Sequence, residues 1–176
     1  LSLVQAYNTF LAQDYCSVAP DRLIGCAVVP VCGIDDAIAE LRRIHSLGLK
    51  AVAIHQFPNG GGRPLPEDDR FWEVALELGV ALAPHQGFGD QTPPPVAPGV
   101  GTQMRGLAGA LLDRAGSIRP AYCLAQLIVD GVFDRFPEIE FYFAESNAAW
   151  LANALWHFDD TFRCYNTWFE KDLKQD

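Results

Sequence analysis

With 176 residues, 49% of them apolar and 20% charged, the chain has the make-up of one folded domain, and this excludes disorder as a description of its body. A net charge of −9 and the lack of any basic run exclude binding to nucleic acid or to an anionic membrane surface, both of which need clustered Lys and Arg. Five cysteines (Cys16, Cys26, Cys32, Cys123 and Cys164) stand apart with no C-x-x-C pair, so they read as thiols in a reducing cytoplasm, not as a disulfide framework or zinc knuckle. No signal peptide and no apolar stretch of about 18 residues appears.

The first residue is Leu1, not Met, and an amphipathic segment begins at once, which reads as a chain that starts inside a larger unit. Over residues 3–16, Leu3, Val4, Ala6, Tyr7, Phe10, Leu11 and Tyr15 fall at helical spacing, with Pro20 as the stop. The run from Leu23 to Pro30 suits a strand buried on both faces, as in parallel sheets covered by helices. Asp35 or Asp36 can cap the next helix, whose Ile38, Leu41, Ile44 and Leu47 form one stripe, and Gly48 ends it.

The pattern repeats. Ala51–His55 reads as a strand, followed by the loop Asn59–Pro64 with its Gly60-Gly61-Gly62, a flexible surface segment. A helix starts near Pro66, buries Phe71, Val74, Ala75 and Leu78, and stops at Gly79. Val80–His85 is the third strand. The Gly- and Pro-rich stretch over 87–103 is long enough for a binding loop or lid. Met104–Leu112 and Pro120–Phe136 read as helices, with Pro120 in a first turn and Pro137 just past the end. Ile139–Glu145 is the fourth strand. Ser146 or Asn147 can cap a last helix carrying Trp150, Leu151, Ala154, Leu155, Phe158 and Phe162.

Leu23 to Val52 and Val52 to Ala81 are each 29 residues, and Ala81 to Glu140 is 59, twice that unit plus one. Strand–helix–strand units of about 30 residues imply parallel strands with right-handed crossovers. An open doubly wound sheet is disfavoured because Gly60-Gly61-Gly62 neither opens a helix nor has G-x-G-x-x-G order. The alternative is a (β/α)8 barrel, which takes about 250 residues, so four units make a partial one.

Ligands in parallel α/β folds sit at the carboxyl ends of strands, which singles out His55-Gln56, His85-Gln86 and Glu145-Ser146. Imidazole and carboxylate together suit a divalent cation such as Zn or Mn. Glu145 leaves the apolar run Phe141–Ala144, so its carboxylate meets a cation or polar network, or else sits in the dipole of the next helix. His45 and His157 lie mid-helix and take no role. Much of the aromatic content of the last helix reads as core, and the surplus is a candidate subunit contact or the surface left by missing barrel units.

Four stretches carry a family likeness: Tyr7-Asn8 with Pro20–Gly25; Ala37–Gly48 with Glu40-Leu41-Arg42-Arg43; Arg63-Pro64-Leu65 with Phe71-Trp72 and Glu77–Val80; and Phe136-Pro137 running into Ala144-Glu145-Ser146 and Trp150-Leu151. In order and spacing they resemble the amidohydrolase-related branch of the amidohydrolase superfamily, in its subgroup with Glu-Ser after the sixth strand. The resemblance implies a distorted (β/α)8 TIM barrel over residues 1–176, lacking its first and last strand units. It also implies a divalent metal, zinc first and manganese second, which activates water or polarises a carboxylated substrate. Val80–Gln86 resembles the fifth strand of that barrel, which makes His85 the metal ligand. Glu145 stands where many relatives place a catalytic histidine, and an ordinary glutamate pKa of about 4.3 has to rise for proton transfer at neutral pH. His55, Gln86 and Ser146 fall on the substrate side. The first-strand H-x-H and last-strand Asp of the family have no counterpart here. The expected activity is hydrolysis or decarboxylation of a small carboxylated or cyclic substrate, in a cytoplasmic enzyme with a homo-oligomer as its expected partner state. The competing expectation is an inactive barrel piece serving as an interaction module.

Overall fold

The structure, a computed structural model, describes residues 1–85, 88 and 118–165. Three short strands, β1 (Cys26–Val28), β2 (Ala51–Ile54) and β3 (Ala81–Pro84), form one parallel sheet in the order β1-β2-β3. Between them lie α2 (Ile34–Ser46) and α3 (Asp69–Leu78), and α1 (Ser2–Phe10) precedes β1. Every strand pairs with the next in sequence and in the same direction, so each helix is a crossover. Residues 141–144 continue the series beside β3 through two parallel bridges, Leu82 with Phe141 and His85 with Ala144. The Tyr142 and Ala144 amides donate to Leu82 O and Pro84 O, at 2.8 and 2.9 Å. The offset across this pairing is 59, the spacing read in the sequence; β2 and β3 pair at an offset of 30.

At the first strand the offset is 25 instead of 29, because β1 begins only at Cys26. Leu23 and Ile24 stay outside the sheet, with Ile24 84% exposed. Gly25 lets the chain pass close to Leu49 and to the turns that follow α1: a Cβ there would come within 2.7–2.8 Å of Leu49 and Cys16 side-chain atoms.

Helix α1 continues as a wider π turn over Leu11–Tyr15 and a 3-10 turn over Cys16–Val18, so the helical run ends where Pro20 predicts. Its inward face differs from the apolar stripe. Asn8, Leu11 and Cys16 are buried, while Leu3, Tyr7, Phe10 and Tyr15 are exposed. A buried polar cluster decides this orientation. The Asn8 amide donates to Val28 O at 2.8 Å and accepts from Val28 N at 3.0 Å, serving as a one-residue partner for a strand that among the described residues otherwise pairs only with β2. It also donates to Glu40 Oε1 at 2.7 Å. Arg43 closes the cluster with two hydrogen bonds to Glu40, one to Thr9 Oγ1 and one to Gln5 O.

Helix α2 starts after Gly33 with no side-chain cap; Asp35 instead pairs with Arg70 at 2.7 Å. Asp35 and Asp36 still favour the helix, as acidic groups in its first turn. Its inward face is Ala37, Glu40, Leu41 and Ile44. Helix α3, preceded by a 3-10 turn over Pro66–Asp68, buries Phe71, Trp72, Val74 and Ala75 and ends at Gly79, whose φ of +61° is the left-handed conformation glycine adopts at no cost. These faces meet Val52, Ile54 and Leu82 of the sheet in one core.

The expected helix Pro120–Phe136 is two: α4 (Ile118–Val129) and α5 (Val132–Arg135), separated at Gly131 with φ +71°. Arg135 braces the break, pairing with Asp130 and reaching Asp69 of α3 at 2.7 Å. The last helix, α6 (Ala149–Tyr165), buries only Ala154; Leu151, Leu155, Trp156 and Tyr165 are exposed. His157 lies on its surface against Trp156, ring centroids 4.8 Å apart. The expected loop 87–103 and helix 104–112 fall, apart from Phe88, outside the described residues. No helix among the described residues is long and apolar enough to cross a membrane.

Candidate functional site at three strand ends

The β2–β3 register that pairs Ile54 with Pro84 makes His55 and His85 the next residue on each strand. The His85 amide donates to Ile54 O at 3.1 Å, which fixes the two strand ends level. Their imidazole rings lie 5.0 Å apart between centroids and are tilted by 49°. The bridge between His85 and Ala144 then delivers Glu145 as the first residue beyond the third strand end, with Oε2 3.5 Å from His85 Nε2. Thus three of the residues expected at the site from their places along the chain stand side by side in space. His85 is part-buried (31% of its side chain exposed), and Glu145 opens to solvent at 67%.

Partial burial against the strand ends depresses the pKa of His55, and neighbouring His85 lowers it further, since two imidazolium charges so close repel. Both effects favour the neutral form of the His55 ring.

The turn after the third of these strand ends is unusual. Glu145 and Asn147 both have positive φ, +53° and +60°. Side-chain-bearing residues pay about 1–2 kcal/mol for this conformation. Between them Ser146 is buried and donates its hydroxyl to Ala144 O at 2.9 Å, bracing the turn from beneath. Asn147 caps the start of α6, its Oδ1 accepting from the amides of Ala148 and Ala149 at 2.6 and 3.2 Å. Trp150 Nε1 donates back to Asn147 O. The chain thus kinks sharply, and the kink turns Glu145 outward beside His85. Gln86 lies outside the described residues.

The loop after β2 is tied down, contrary to the flexible segment expected. Buried Asp68 accepts from Asn59 N, Asn59 Nδ2 and Leu65 N at 2.5–2.8 Å. Gln126 of α4 donates to Gly62 O at 3.0 Å, and Gly60, with φ +87°, sits where a Cβ would meet Val31 O at 2.8 Å. Asn59, Asp68 and Asn147 hold the site's loops in place, and of the three only Asn147, as a cap, has a bonding role expected from the sequence. Asx residues flanking glycines and helix starts are the signal that marks such staples.

The donor chemistry suits a divalent cation. Two ligands about 2.1 Å from one ion at a tetrahedral angle lie about 3.4 Å apart, close to the observed His85–Glu145 separation. Among the described residues no three His, Cys, Asp or Glu side chains already converge on one point. Among the described residues the site thus offers an imidazole nitrogen of His85 with the Glu145 carboxylate beside it, and no complete set of metal ligands.

Parallel β/α units bearing imidazole and carboxylate groups at adjacent strand ends define a barrel-type α/β protein with its site at the carboxyl ends of the strands. The family model described as Amidohydrolase matches residues 2–170, and the chain belongs to that family. Its fold is shared by TIM-barrel members of known structure. The 5-carboxyvanillate decarboxylase of Novosphingobium aromaticivorans, with bound manganese and 3-methoxy-4-hydroxy-5-nitrobenzoic acid, superposes with a TM-score of 0.73 at 24% identity, over 99% of this chain and 49% of its own. The 5-carboxyvanillate decarboxylase of Sphingomonas paucimobilis gives 0.68 at 22% identity, over 99% and 50%. An amidohydrolase of Mycobacterium avium subsp. paratuberculosis gives 0.64 at 20%, over 96% and 44%. The chain spans about half the length of these solved structures. No curated protein matches the sequence.

Proposed function

We propose that the chain carries one part of the active site of a metal-dependent hydrolase or lyase acting on a small carboxylated or cyclic substrate, with His85 as a metal ligand and Glu145 as the acid–base group. The observation that carries this reading is the 3.5 Å approach of His85 Nε2 and Glu145 Oε2 at neighbouring strand ends. A divalent ion, manganese or zinc, supplies Lewis acidity toward a water or a substrate carboxylate. Manganese in a decarboxylase of the same fold supports the choice of metal and of substrate class. His85 offers Nε2 to the ion. Glu145 is exposed enough to reach a substrate; in hydrolysis it takes the proton of the attacking water. In decarboxylation it begins as the carboxylic acid and gives its proton to the carbon, which takes the electron pair of the breaking C–CO2 bond, and Glu145 is left as the carboxylate. Ser146 holds the turn that aims Glu145, and Gln86 and His55 are assigned to substrate binding. The substrate is a small molecule, and the setting is cytoplasmic, with self-association through the exposed apolar faces.

Metal content tests the reading. Wild-type protein loaded with Mn2+ or Zn2+ and then desalted is expected to retain stoichiometric metal by mass spectrometry, and His85→Ala to lose it with an unchanged circular dichroism spectrum. A wild-type chain that folds yet retains no metal overturns the proposal and favours a catalytically inactive barrel module.

A further inference from the structure

We infer that Trp150 is a positioning residue for Glu145: its indole ties the strand segment before Glu145 to the turn after it and so holds the carboxylate beside His85. This rests on the reading of Glu145 as the acid–base group and adds a residue that acts only through it. Glu145 and Asn147 have φ of +53° and +60°, angles that glycine takes at no cost and that other residues keep only where their surroundings impose them. Local hydrogen bonds supply part of that constraint. Ser146 donates its hydroxyl to Ala144 O, and Asn147 Oδ1 accepts from the Ala148 and Ala149 amides. These three bonds all lie within residues 144–149, and none reaches the strand segment ahead of Ala144. Trp150 does reach it. Its Nε1–H donates to Asn147 O at 3.0 Å, two residues past Glu145. Its ring meets that of Phe143, two residues before Glu145, edge to face with centroids 5.5 Å apart and planes at 74°. Phe143 lies between Tyr142 and Ala144, whose amides are bonded to β3, so the clamp is anchored on the sheet. Core packing does not account for this indole, because Trp150 is only part-buried on a helix that buries Ala154 alone. The Glu145 side chain is 67% exposed, so its direction follows from the backbone that carries it.

NMR spectroscopy of the full metal-free chain tests the clamp without any reaction. Positive φ brings a residue's own amide and α protons close, which gives a strong nuclear Overhauser effect between them. Wild type is expected to show this signature at Glu145 and a second cross-peak between the His85 ring and the Glu145 side chain. Trp150→Phe keeps a ring against Phe143 and removes the donor. It is expected to lose both signatures while its urea midpoint stays close to that of wild type. Trp156→Phe, at a 63% exposed position of the same helix, is expected to keep them. A Trp150→Phe protein that keeps both signatures overturns the inference, whether or not its urea midpoint falls, since Trp150 then serves stability alone. If Trp150→Phe does not fold, hydrogen exchange of the wild-type indoles decides. Exchange of the Trp150 N–H at least about tenfold slower than that of Trp156 supports the clamp, and equal rates overturn it. Signatures that persist in Trp150→Phe while His85→Ala abolishes metal retention leave the proposed function standing and remove only the role of Trp150. Signatures lost in Trp150→Phe while wild type retains no metal leave the clamp standing and remove the proposed function.

Discussion

Glu40 and Asp68 are two fully buried carboxylates with opposite electrostatic fates. Burial alone would raise the pKa of Glu40, but hydrogen bonds from Arg43 and Asn8 and the Arg43 charge outweigh it, and the pKa lies below the ordinary value. A depressed folded pKa contributes stability that is present above the unfolded pKa and lost as pH falls through the folded one. For Asp68, burial dominates the donations from Leu65 and Asn59 and raises the pKa. Its ionised form therefore costs stability, a cost that grows as pH rises from the unfolded value through the raised one. Glu40→Gln is expected to cost about 1–3 kcal/mol at pH 7, since it leaves Arg43 and Asn8 imperfectly paired. The loss should shrink in urea titrations as the pH falls below the ordinary glutamate range and through the lowered folded pKa, because wild type surrenders the same interaction there. A loss independent of pH would mean that the carboxylate charge does nothing in the cluster. The Glu40–Arg43 spacing is visible in the sequence as an i, i+3 pair. Its burial is not, because that depends on Asn8, 32 residues away.

At the scale of the element, α1 shows how a polar cluster can override an apolar stripe. Leu3, Tyr7 and Phe10 define the hydrophobic face by periodicity, yet Asn8 faces the core, where its amide bonds the Val28 backbone at the edge of β1 that no other described strand pairs with. A buried strand edge left without partners costs more than exposing a few apolar side chains. Leu3→Ser is accordingly expected to change stability by less than about 0.5 kcal/mol. Leu11→Ala, on the buried side, is expected to cost about 2–5 kcal/mol. Guanidinium unfolding of the two variants checks the orientation: a costly Leu3→Ser would mean that α1 packs by its stripe after all. The break between α4 and α5 has a similar origin, since Gly131 favours the left-handed turn that Arg135 then locks.

For the whole molecule, the half of the barrel described here has its main core between the sheet and α2 and α3, with Phe71 and Trp72 fully buried at its centre and set edge to face. Phe71→Ala is expected to lower unfolding free energy by about 3–5 kcal/mol, and thermal melts of purified protein would show it. A loss under 1 kcal/mol would place the main core elsewhere. Residues 141–144 lie on β3 by scattered bridges instead of a full ladder, and the two left-handed residues after them bend the chain away at once. That bend gives Glu145 its place beside His85.

The sequence by itself determined the class of fold, the order of its strands and the residues at their ends, because burial on both faces writes parallel strands as apolar runs at a regular spacing. It determined His55, His85 and Glu145 as candidates, since strand ends follow directly from where such runs stop. Tertiary structure decided how near those ends come to one another, which face of α1 turns inward, where the long helix breaks, and that the glycine loop is stapled by Asp68. Each of these depends on hydrogen bonds or packing between residues far apart in the chain, and local periodicity carries no information about partners at that distance.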